Sequence, residues 1–214
     1  MYFSIGIPTL NRADLLLPSI NKYLVDFNNT DIHIIDNGNQ NLSHLEENVH
    51  IYVHNQNENI GVAASWNKLC QLIFAKKDWA LLVNDDVYLG YGNSRVNMCA
   101  EMSEVGIVQS ELNWSVLLIH KDLYEYIGEF DEGFFPAYFE DSDYMYRLKL
   151  KGLLHEVNSK LNPIEAKVSQ TYEKAPDLVN LAMKLNRQRY IDKWGNVPLL
   201  EKYTIPFNNQ NLIK

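Results

Sequence analysis

The stretch Ala80-Leu81-Leu82-Val83-Asn84-Asp85-Asp86-Val87 consists of an apolar run followed by an amide and two adjacent carboxylates. The run predicts a strand that is buried on both faces, as in a parallel sheet. The carboxylates then lie at the carboxyl edge of the sheet, where open α/β folds bind ligands. Neighbouring carboxylates repel each other unless a cation lies between them, and oxygen ligands suit Mg²⁺ or Mn²⁺. We predict a metal-bridged diphosphate site at Asp85 and Asp86; the alternative is an acidic turn after a strand.

The rest of the chain predicts an α/β fold, with a mostly parallel sheet and helices on both faces. In the first half, the predicted strands are 2–7, 31–36, 50–54 and 79–83, and the predicted helices are 12–26 and 61–76. In the less regular second half, the predicted strands are 105–109 and 115–119, and the predicted helices are 120–127, 139–151 and 177–194. The last helix is expected to pack through an apolar face formed by Leu178, Leu181, Ala182 and Leu185.

Length and composition restrict the class of protein. The 214 residues fit one domain at 1–195, followed by 196–214 as an extension of that domain or the start of a linker. The net charge of -8 argues against a nucleic-acid or anionic-membrane partner. The chain has two cysteines and no long apolar run, so we expect reduced core thiols, no membrane span and a cytoplasmic protein.

A second group of acids begins the predicted helix at 139–151. Helical geometry places Asp141 on the same face as Met145 and Leu148, towards the core. A partly desolvated carboxylate in the first turn of a helix is a candidate general base. The alternative is that Asp141 only caps backbone N–H groups.

The other charged residues of this helix are expected on its opposite side. Glu140, Asp143 and Arg147 fall there by the same geometry. Asp143 and Arg147 are four residues apart, so they are expected to form a surface ion pair.

The chain resembles nucleotide-sugar glycosyltransferases of the GT-A (Rossmann-like) fold, in the large inverting group called family 2. The resemblance runs in order from residue 3 to about 195, and each motif alone is weak. The segments that carry it are 4–12, 36–38, 57–67, 84–86, 128–147 and 193–195. A looser resemblance is to viral enzymes that glycosylate capsid protein, for which the location would be the host cytoplasm.

The resemblance implies a role for each matching residue. It implies a metal (Mn²⁺ or Mg²⁺) on Asp86 and Asp85, Asp141 as general base, and transfer of a hexose or deoxyhexose with inversion. Asp36 would accept a hydrogen bond from a uracil-type base, which favours a UDP-sugar donor. The implied donor-binding residues are Pro8, Thr9, Asn11, Arg12, Asp36, Asn37, Gly61, Asn67, Asn84 and Asp85. For a glycan or glycoprotein acceptor, the candidates are Trp114, Tyr138 and Glu140.

Several of these residues have simpler interpretations. Trp66, Trp114 and Tyr138 could stack on a sugar, but aromatic residues are more often part of the core. Arg12 could contact phosphate or base, or could be an exposed residue at a helix start.

The chain also departs from the family pattern. Asn84 stands at the first position of the family's D-x-D motif. Val168-Ser169-Gln170 stands where many relatives have a metal-binding histidine. His155 is the nearest substitute, with a structural role as its alternative, so phosphate and water are expected to complete the metal shell. Two other functions remain open: a sugar nucleotidyltransferase, and a catalytically inactive module that binds nucleotide sugars or glycans.

Overall fold

The computed structural model describes residues 2–111, 114–166 and 176–212. The strands are β1 (Phe3–Thr9), β2 (Ile32–Asp36), β3 (Ile51–Asn55), β4 (Trp79–Val83), β5 (Val87–Tyr88), β6 (Ile107–Gln109), β7 (Val116–His120), β8 (Glu156–Val157) and β9 (Glu165–Ala166). The helices are α1 (Ala13–Asp26), α2 (Gly61–Phe74), α3 (Asn93–Met102), α4 (Lys121–Ile127), α5 (Glu140–Leu150) and α6 (Pro176–Trp194). Short 3-10 helices lie at Ser43–Glu47, Ser159–Leu161, Pro206–Asn208 and Gln210–Leu212.

The main sheet has seven strands in the order β3-β2-β1-β4-β7-β6-β8. Strands β1 to β4 are parallel to one another, β7 is antiparallel to β4 and β6, and β8 is parallel to β6. The predicted α/β fold with a mostly parallel sheet is therefore confirmed. Strands β5 and β9 form a separate antiparallel pair directly after the acidic turn. The carboxyl ends of β1, β2 and β4 consequently meet at one edge, as the apolar run ending in acids predicted.

Both faces of the sheet are covered, because successive side chains of a strand point to opposite faces. In β4, Leu81 and Val83 pack in a cluster with residues of α1 and α3, whereas Ala80 and Leu82 pack with residues of α2, α4 and α5. All four side chains are at most 1% exposed. Two-sided burial explains why this strand is continuously apolar rather than alternating.

The prediction of the apolar face of the C-terminal helix is wrong for its three leucines. Leu178, Leu181 and Leu185 are 70%, 52% and 58% exposed. Ala182 is buried as predicted, together with Val179, Asn186, Tyr190, Lys193 and Trp194. This helix is therefore held partly by polar contacts, which a hydrophobic pattern does not reveal. Among the described residues, no helix combines the length and apolar character of a membrane span.

An ion network joins α5 to α6, and it corrects the prediction of a surface pair. Asp143 is fully buried and accepts hydrogen bonds from Arg147 Nε at 2.9 Å and Trp194 Nε1 at 2.8 Å. Lys193 Nζ lies 2.6 Å from Asp143 Oδ1 and 2.7 Å from Asp131 Oδ2. The Asp143–Arg147 pair exists, but on the inner side of the helix. A buried carboxylate with three cationic or N–H partners ties the last helix to the start of α5.

The segment after α6 folds back on it. The backbone N–H groups of Lys202 and Tyr203 donate to the carbonyl of Trp194 at 2.9 and 3.0 Å, and Tyr146 Oη donates to the carbonyl of Tyr203 at 2.9 Å. These contacts favour an extension of the same domain over a linker for the described part of 196–214.

A buried histidine pair on β2 and β3 makes stability depend on pH. His33 Nδ1 lies 3.2 Å from His54 Nε2, and its ring stacks on Tyr52. Burial lowers the pKa of His33 from 6.5 to about 4; the His54 and Lys76 charges act in the same direction, and Asp31 opposes them. The unfolded chain takes up a proton that the folded chain excludes, so stability should be full above pH 6.5 and fall as pH decreases towards 4.

The measurement is urea unfolding at pH 7 and pH 4.5 for the wild type and His33→Gln. The wild type should lose on the order of 1–3 kcal/mol more than the variant, because the variant lacks the titrating group. His44→Gln, at an exposed histidine, is the matched control and should behave as the wild type. Equal pH dependence in wild type and His33→Gln would contradict the assignment.

Candidate active site

The turn after β4 holds the acid pair at the sheet edge. Asn84 is tied to the neighbouring strand by its backbone N–H, which donates to the carbonyl of Ser115 at 3.0 Å. Thr9, the last residue of β1, donates from Oγ1 to Asp85 Oδ2 at 2.7 Å. Burial and, to a smaller extent, the charge of Asp86 raise the pKa of Asp85 to about 6, against the opposing effects of Thr9 and Arg12. A cation beside this carboxylate would stabilise its charged form, which burial disfavours.

The donor chemistry of the pair fits a hard divalent ion. Asp85 and Asp86 supply only carboxylate oxygens, which Mg²⁺ and Mn²⁺ favour. Within the described ranges, no group of three His, Cys, Asp or Glu residues forms a complete metal shell. A metal held by this pair needs further ligands, and diphosphate and water stay the predicted ones. The predicted departure at Val168-Ser169-Gln170 lies outside the described residues.

His155 has the structural surroundings of its alternative role. Its ring packs against Trp114 with 6.1 Å between centroids, and burial lowers its pKa. It precedes β8 rather than lying within a strand.

Arg12 is buried, which corrects its interpretation as an exposed residue at a helix start. The side chain is 5% exposed, and Nε and Nη2 donate to Asp14 at 3.0 and 3.1 Å. Its Nη1 is buried and makes no hydrogen bond within the described part of the chain. The guanidinium lies close enough to Asp85 and Asp86 for their charges to raise its pKa. An N–H group that has no partner and lies near two possible metal-binding carboxylates is suited to donate a hydrogen bond to a phosphate oxygen.

Asp36 shapes a loop and does not reach a base in this structure. It is fully buried; Oδ1 accepts from the Gly38 N–H and from Gln40 Nε2, and Oδ2 accepts from the Gln40 N–H. The recognition of a base by Asp36 stays a prediction, in which the remaining acceptor capacity of Oδ2 would be used. Gln40, which sequence reasoning missed, also accepts from the Ala13 N–H at 2.8 Å. The position of Gln40 four residues after Asp36 is the feature of the sequence that could have indicated this contact.

Two predicted donor-binding amides are occupied by the protein itself. Asn37 donates to Ser65 Oγ at 2.9 Å and accepts from the Ile60 N–H at 3.1 Å. Asn67 is 2% exposed and makes four hydrogen bonds, with Phe130 N–H and carbonyl, Tyr124 Oη and Glu132 Oε1. The prediction that Asn67 binds donor is wrong, because its amide has no remaining capacity for a ligand. These motif residues anchor α2 to its neighbours.

Three other predicted donor residues lie around the same edge. Pro8 is half-buried in β1, and Asn11 is exposed with a left-handed φ of 54°. A Cβ at Gly38 would collide with Asn11, so these two loops pack closely. Gly61 begins α2 with φ of 82°, and a Cβ there would lie 3.0 Å from Phe135 and from the Pro136 carbonyl. The glycine is required for backbone shape and close approach rather than for a side-chain contact.

The loop before α5 is held in an unusual conformation beside two carboxylates. Tyr138 and Phe139 have φ of 78° and 75°, in the left-handed region that larger side chains rarely adopt. Strain of this kind concentrates at functional sites. Asp141 Oδ1 accepts from the Ser142 N–H at 2.6 Å, which leaves Oδ2 for another partner. Burial raises the pKa of Asp141.

Glu140 faces inward, contrary to its predicted position. It is 7% exposed, and its Oε2 is buried without a hydrogen-bond partner among the described residues. Burial and the charge of Asp141 raise the pKa of Glu140 to about 8. Adjacent carboxyls with raised pKa values are typical of acid–base sites.

The aromatic candidates divide into core and edge. Trp114 is 6% exposed and packs against Trp66, Phe130 and Tyr144, with ring centroids 6.5, 6.3 and 6.0 Å away. Its predicted role as an acceptor platform is therefore wrong, because its faces are covered. Tyr138 is half-buried beside Glu140 and stays a candidate.

A backbone contact and a ring contact connect the elements around the two acid pairs. The Val62 N–H at the start of α2 donates to the Pro136 carbonyl at 2.8 Å, which joins the parallel strands to the loop before α5. Trp114, next to the Asn84–Ser115 contact, packs on Tyr144, one turn beyond Glu140. These contacts link segments adjacent to the acid pair after β4 with the helix that carries the acid pair of α5.

Comparisons with known proteins support the fold. No protein-family profile matches the chain, and no curated protein matches it. Among solved structures, the mannosyltransferase PcManGT from Pyrobaculum calidifontis, in complex with GDP-Man and Mn²⁺, superposes with a TM-score of 0.62 at 12% identity over 81% of this chain and 59% of that one. S. aureus TarS superposes with a TM-score of 0.61 at 15% identity over 90% of this chain and 40% of that one. The chain thus shares an α/β glycosyltransferase-type fold and spans about half the length of these proteins.

Proposed function

We propose that the protein is a metal-dependent glycosyltransferase that moves a hexose or deoxyhexose from a nucleoside-diphosphate sugar to a sugar hydroxyl of a glycan or glycoprotein, with inversion. The observation that carries the proposal is two acid pairs with burial-raised carboxyl pKa values, Asp85-Asp86 directly after β4 and Glu140-Asp141 at the start of α5. The fold shared with PcManGT, which was solved with GDP-Man and Mn²⁺, supports it. The choice of a UDP-linked donor rests on the resemblance alone, because Asp36 is engaged within its loop.

The donor's diphosphate would lie between the β1–α1 loop and the turn after β4. Asp86 and Asp85 would hold Mn²⁺ or Mg²⁺, which neutralises negative charge on a departing diphosphate. Arg12 would donate from Nη1 to a phosphate oxygen, and Thr9 keeps Asp85 oriented through its 2.7 Å hydrogen bond. These residues together offset the charge of the ligand in a protein whose net charge is -8.

The acceptor hydroxyl would be activated at the start of α5. Its oxygen attacks the anomeric carbon, the bond from that carbon to the diphosphate oxygen breaks, and the hydroxyl proton passes to Asp141 Oδ2. Attack opposite the leaving group inverts the anomeric carbon. A partly desolvated base next to a helix N-terminus can hold its charge until the proton arrives.

Glu140 has a different task from Asp141. With a pKa of about 8, it is mostly protonated at neutral pH and can donate a hydrogen bond from its buried carboxyl. The orphan Oε2 is the atom that would contact a substrate hydroxyl or the attacking oxygen. Two neighbouring carboxyls therefore supply one proton acceptor and one hydrogen-bond donor.

Donor binding tests the proposal directly. Calorimetry with UDP-, GDP- and dTDP-sugars, with and without Mn²⁺, should show metal-dependent binding, tightest for a UDP-sugar. Asp86→Ala should abolish the metal dependence and Asp85→Ala should weaken it, because each removes a carboxylate ligand. Glu125→Ala is the control and should bind as the wild type, because it removes an exposed acid of α4, which follows the strand residue His120 that pairs with Trp79 at the other end of β4. Metal-independent affinity that is unchanged in both aspartate variants would contradict the metal site, and tighter binding of GDP would contradict the base preference.

A product assay separates this function from its two rivals. A nucleotidyltransferase would form a nucleoside-diphosphate sugar from a sugar phosphate, and an inactive binding module would form no product. We expect release of nucleoside diphosphate together with a glycosylated acceptor.

A further inference from the structure

A polar groove of about 590 Å³ lies beside the candidate active site, on the outer side of α2. Its size falls within the ~300–1,000 Å³ range of ligand pockets. It is lined by the 56–60 loop, one face of α2, and Glu132 and Phe135 from the loop before α5. The residues described above as catalytic or donor-binding candidates do not line it, except Asn67, whose amide is already satisfied.

Phe135 is the prominent apolar group of this groove. Its side chain is 52% exposed, although its ring edge is fixed against Gly61, where a Cβ would lie 3.0 Å from Cδ2. A rigid, half-exposed ring offers a flat face at little entropic cost. Such faces bind the C–H surfaces of sugar rings.

Apart from Ile60 and Ala64, the remaining side chains of the lining can form hydrogen bonds. Gln56, Asn59 and Gln71 carry amides, which both donate and accept hydrogen bonds, and Lys68 Nζ is fixed 2.8 Å from Gln56 Oε1. Glu132 accepts from Asn67 with one oxygen and is exposed. Sugar hydroxyls also donate and accept at once, so they match amides and carboxylates better than an anionic ligand does.

A backbone hydrogen bond connects the groove to the loop before α5. Pro136 follows Phe135 and accepts from the Val62 N–H at 2.8 Å, and the chain reaches Glu140 four residues later. A chain of sugars that enters the active site at its end would therefore have its next units near Phe135.

We propose that this groove is a binding site for neutral oligosaccharide, in which Phe135 stacks on a sugar ring and the amides of α2 and the 56–60 loop contact its hydroxyls. The proposal rests on the proposed function in that it makes the acceptor an oligosaccharide longer than one sugar. The groove carries two carboxylates, Glu58 and Glu132, and one ammonium, Lys68, which argues against a polyanion such as a nucleic acid as the occupant.

Saturation-transfer NMR on the whole protein, with cellotriose, maltotriose and xylotriose as probes, tests the site without any donor. The wild type should bind at least one trisaccharide, and Phe135→Ala should weaken that binding roughly tenfold, the loss of one aromatic contact. Gln71→Ala should weaken it as well, because Gln71 bonds only Glu129 within the described residues and is not needed for the fold. Asn59 is left unchanged because its side chain accepts from the Gly61 N–H.

Tyr126→Ala is the matched control. Tyr126 is 59% exposed, and it lies near Trp79 and His120 at the opposite edge of the sheet. It should bind the trisaccharide as the wild type does. Absence of binding to all three probes, or equal binding in Phe135→Ala and wild type, would overturn the proposal.

The donor titrations keep this outcome separate from the proposed function. Loss of trisaccharide binding in Phe135→Ala with unchanged Mn²⁺-dependent nucleotide-sugar affinity supports both. Trisaccharide binding without any nucleotide-sugar binding supports the groove and contradicts glycosyl transfer, and the reverse result contradicts the groove alone.

Discussion

Asp141→Asn should lower the rate of sugar transfer roughly 10²- to 10⁴-fold, the usual contribution of a general base. The amide keeps the size of the side chain and can still accept from the Ser142 N–H, so the helix start should persist. Donor affinity should hardly change, because the acid pair at Asp85 and Asp86 is intact. Transfer rate, donor affinity by calorimetry and melting temperature together separate a base from a cap. A cap would cost about 1 kcal/mol of stability and leave turnover nearly intact.

The control for Asp141→Asn has to be an acidic residue that neither holds the fold together nor lies at the candidate site. Asp143 is unsuitable because its buried carboxylate holds the ion network between α5 and α6. Asp122→Asn is matched instead: Asp122 is an acid in the first turn of α4, with 86% of its side chain exposed. It should transfer at the wild-type rate. A wild-type rate in Asp141→Asn with a large loss in Glu140→Gln would show that the base is Glu140.

The pH profile distinguishes the two carboxyls further. Asp141 must be ionised to take a proton, so the rate should fall as pH drops through its raised pKa. Glu140 must be protonated to donate, so the rate should also fall as pH rises through about 8. Glu140→Gln keeps a donor that does not titrate, and it should therefore lose the alkaline limb of the profile while the acid limb remains.

The fold was predictable from the first 85 residues because its signals are local. Apolar runs that end in acids, as at Asp36 and Asp85, defined parallel strands and their common edge. Helix periodicity found α1 and α2 within a few residues. The C-terminal helix was misjudged because its leucines are exposed, whereas Asn186 and Lys193 are buried by polar partners distant in sequence.

The candidate site was predictable in position but less so in the task of each residue. A motif shows that a residue type is needed, and Asn67 and Asp36 are needed for loops and helix packing. Trp114 was indistinguishable from a stacking platform until its neighbours were known. Glu140 was placed outward because Met145 and Leu148 were taken to mark the core face, but the fully buried Tyr144 lies one turn after Glu140 on the same side of the helix.

The ion network itself should dominate the stability of the C-terminal helix. Asp143→Ala leaves Lys193 and Arg147 without their shared carboxylate in a buried setting. Removal of one partner of a buried ion pair typically costs about 3–5 kcal/mol, because the remaining charge is desolvated and uncompensated. Urea unfolding of the whole protein should show a loss of that size. Lys193→Met combined with Asp143→Ala should cost less than the sum of the two single changes, since both single changes break the same Asp143–Lys193 contact and Lys193 otherwise keeps only Asp131.

A surface pair on another helix provides the comparison. Lys121 and Glu125 of α4 are also four residues apart, with their charged atoms 3.9 Å from each other and side chains 40% and 63% exposed. Glu125→Ala should cost less than about 1 kcal/mol. If Asp143→Ala costs no more than Glu125→Ala, the network does not hold α6 in place. A large loss would show instead that the contacts of Asp143 with Arg147, Lys193 and Trp194 stabilise the helix that presents Asp141.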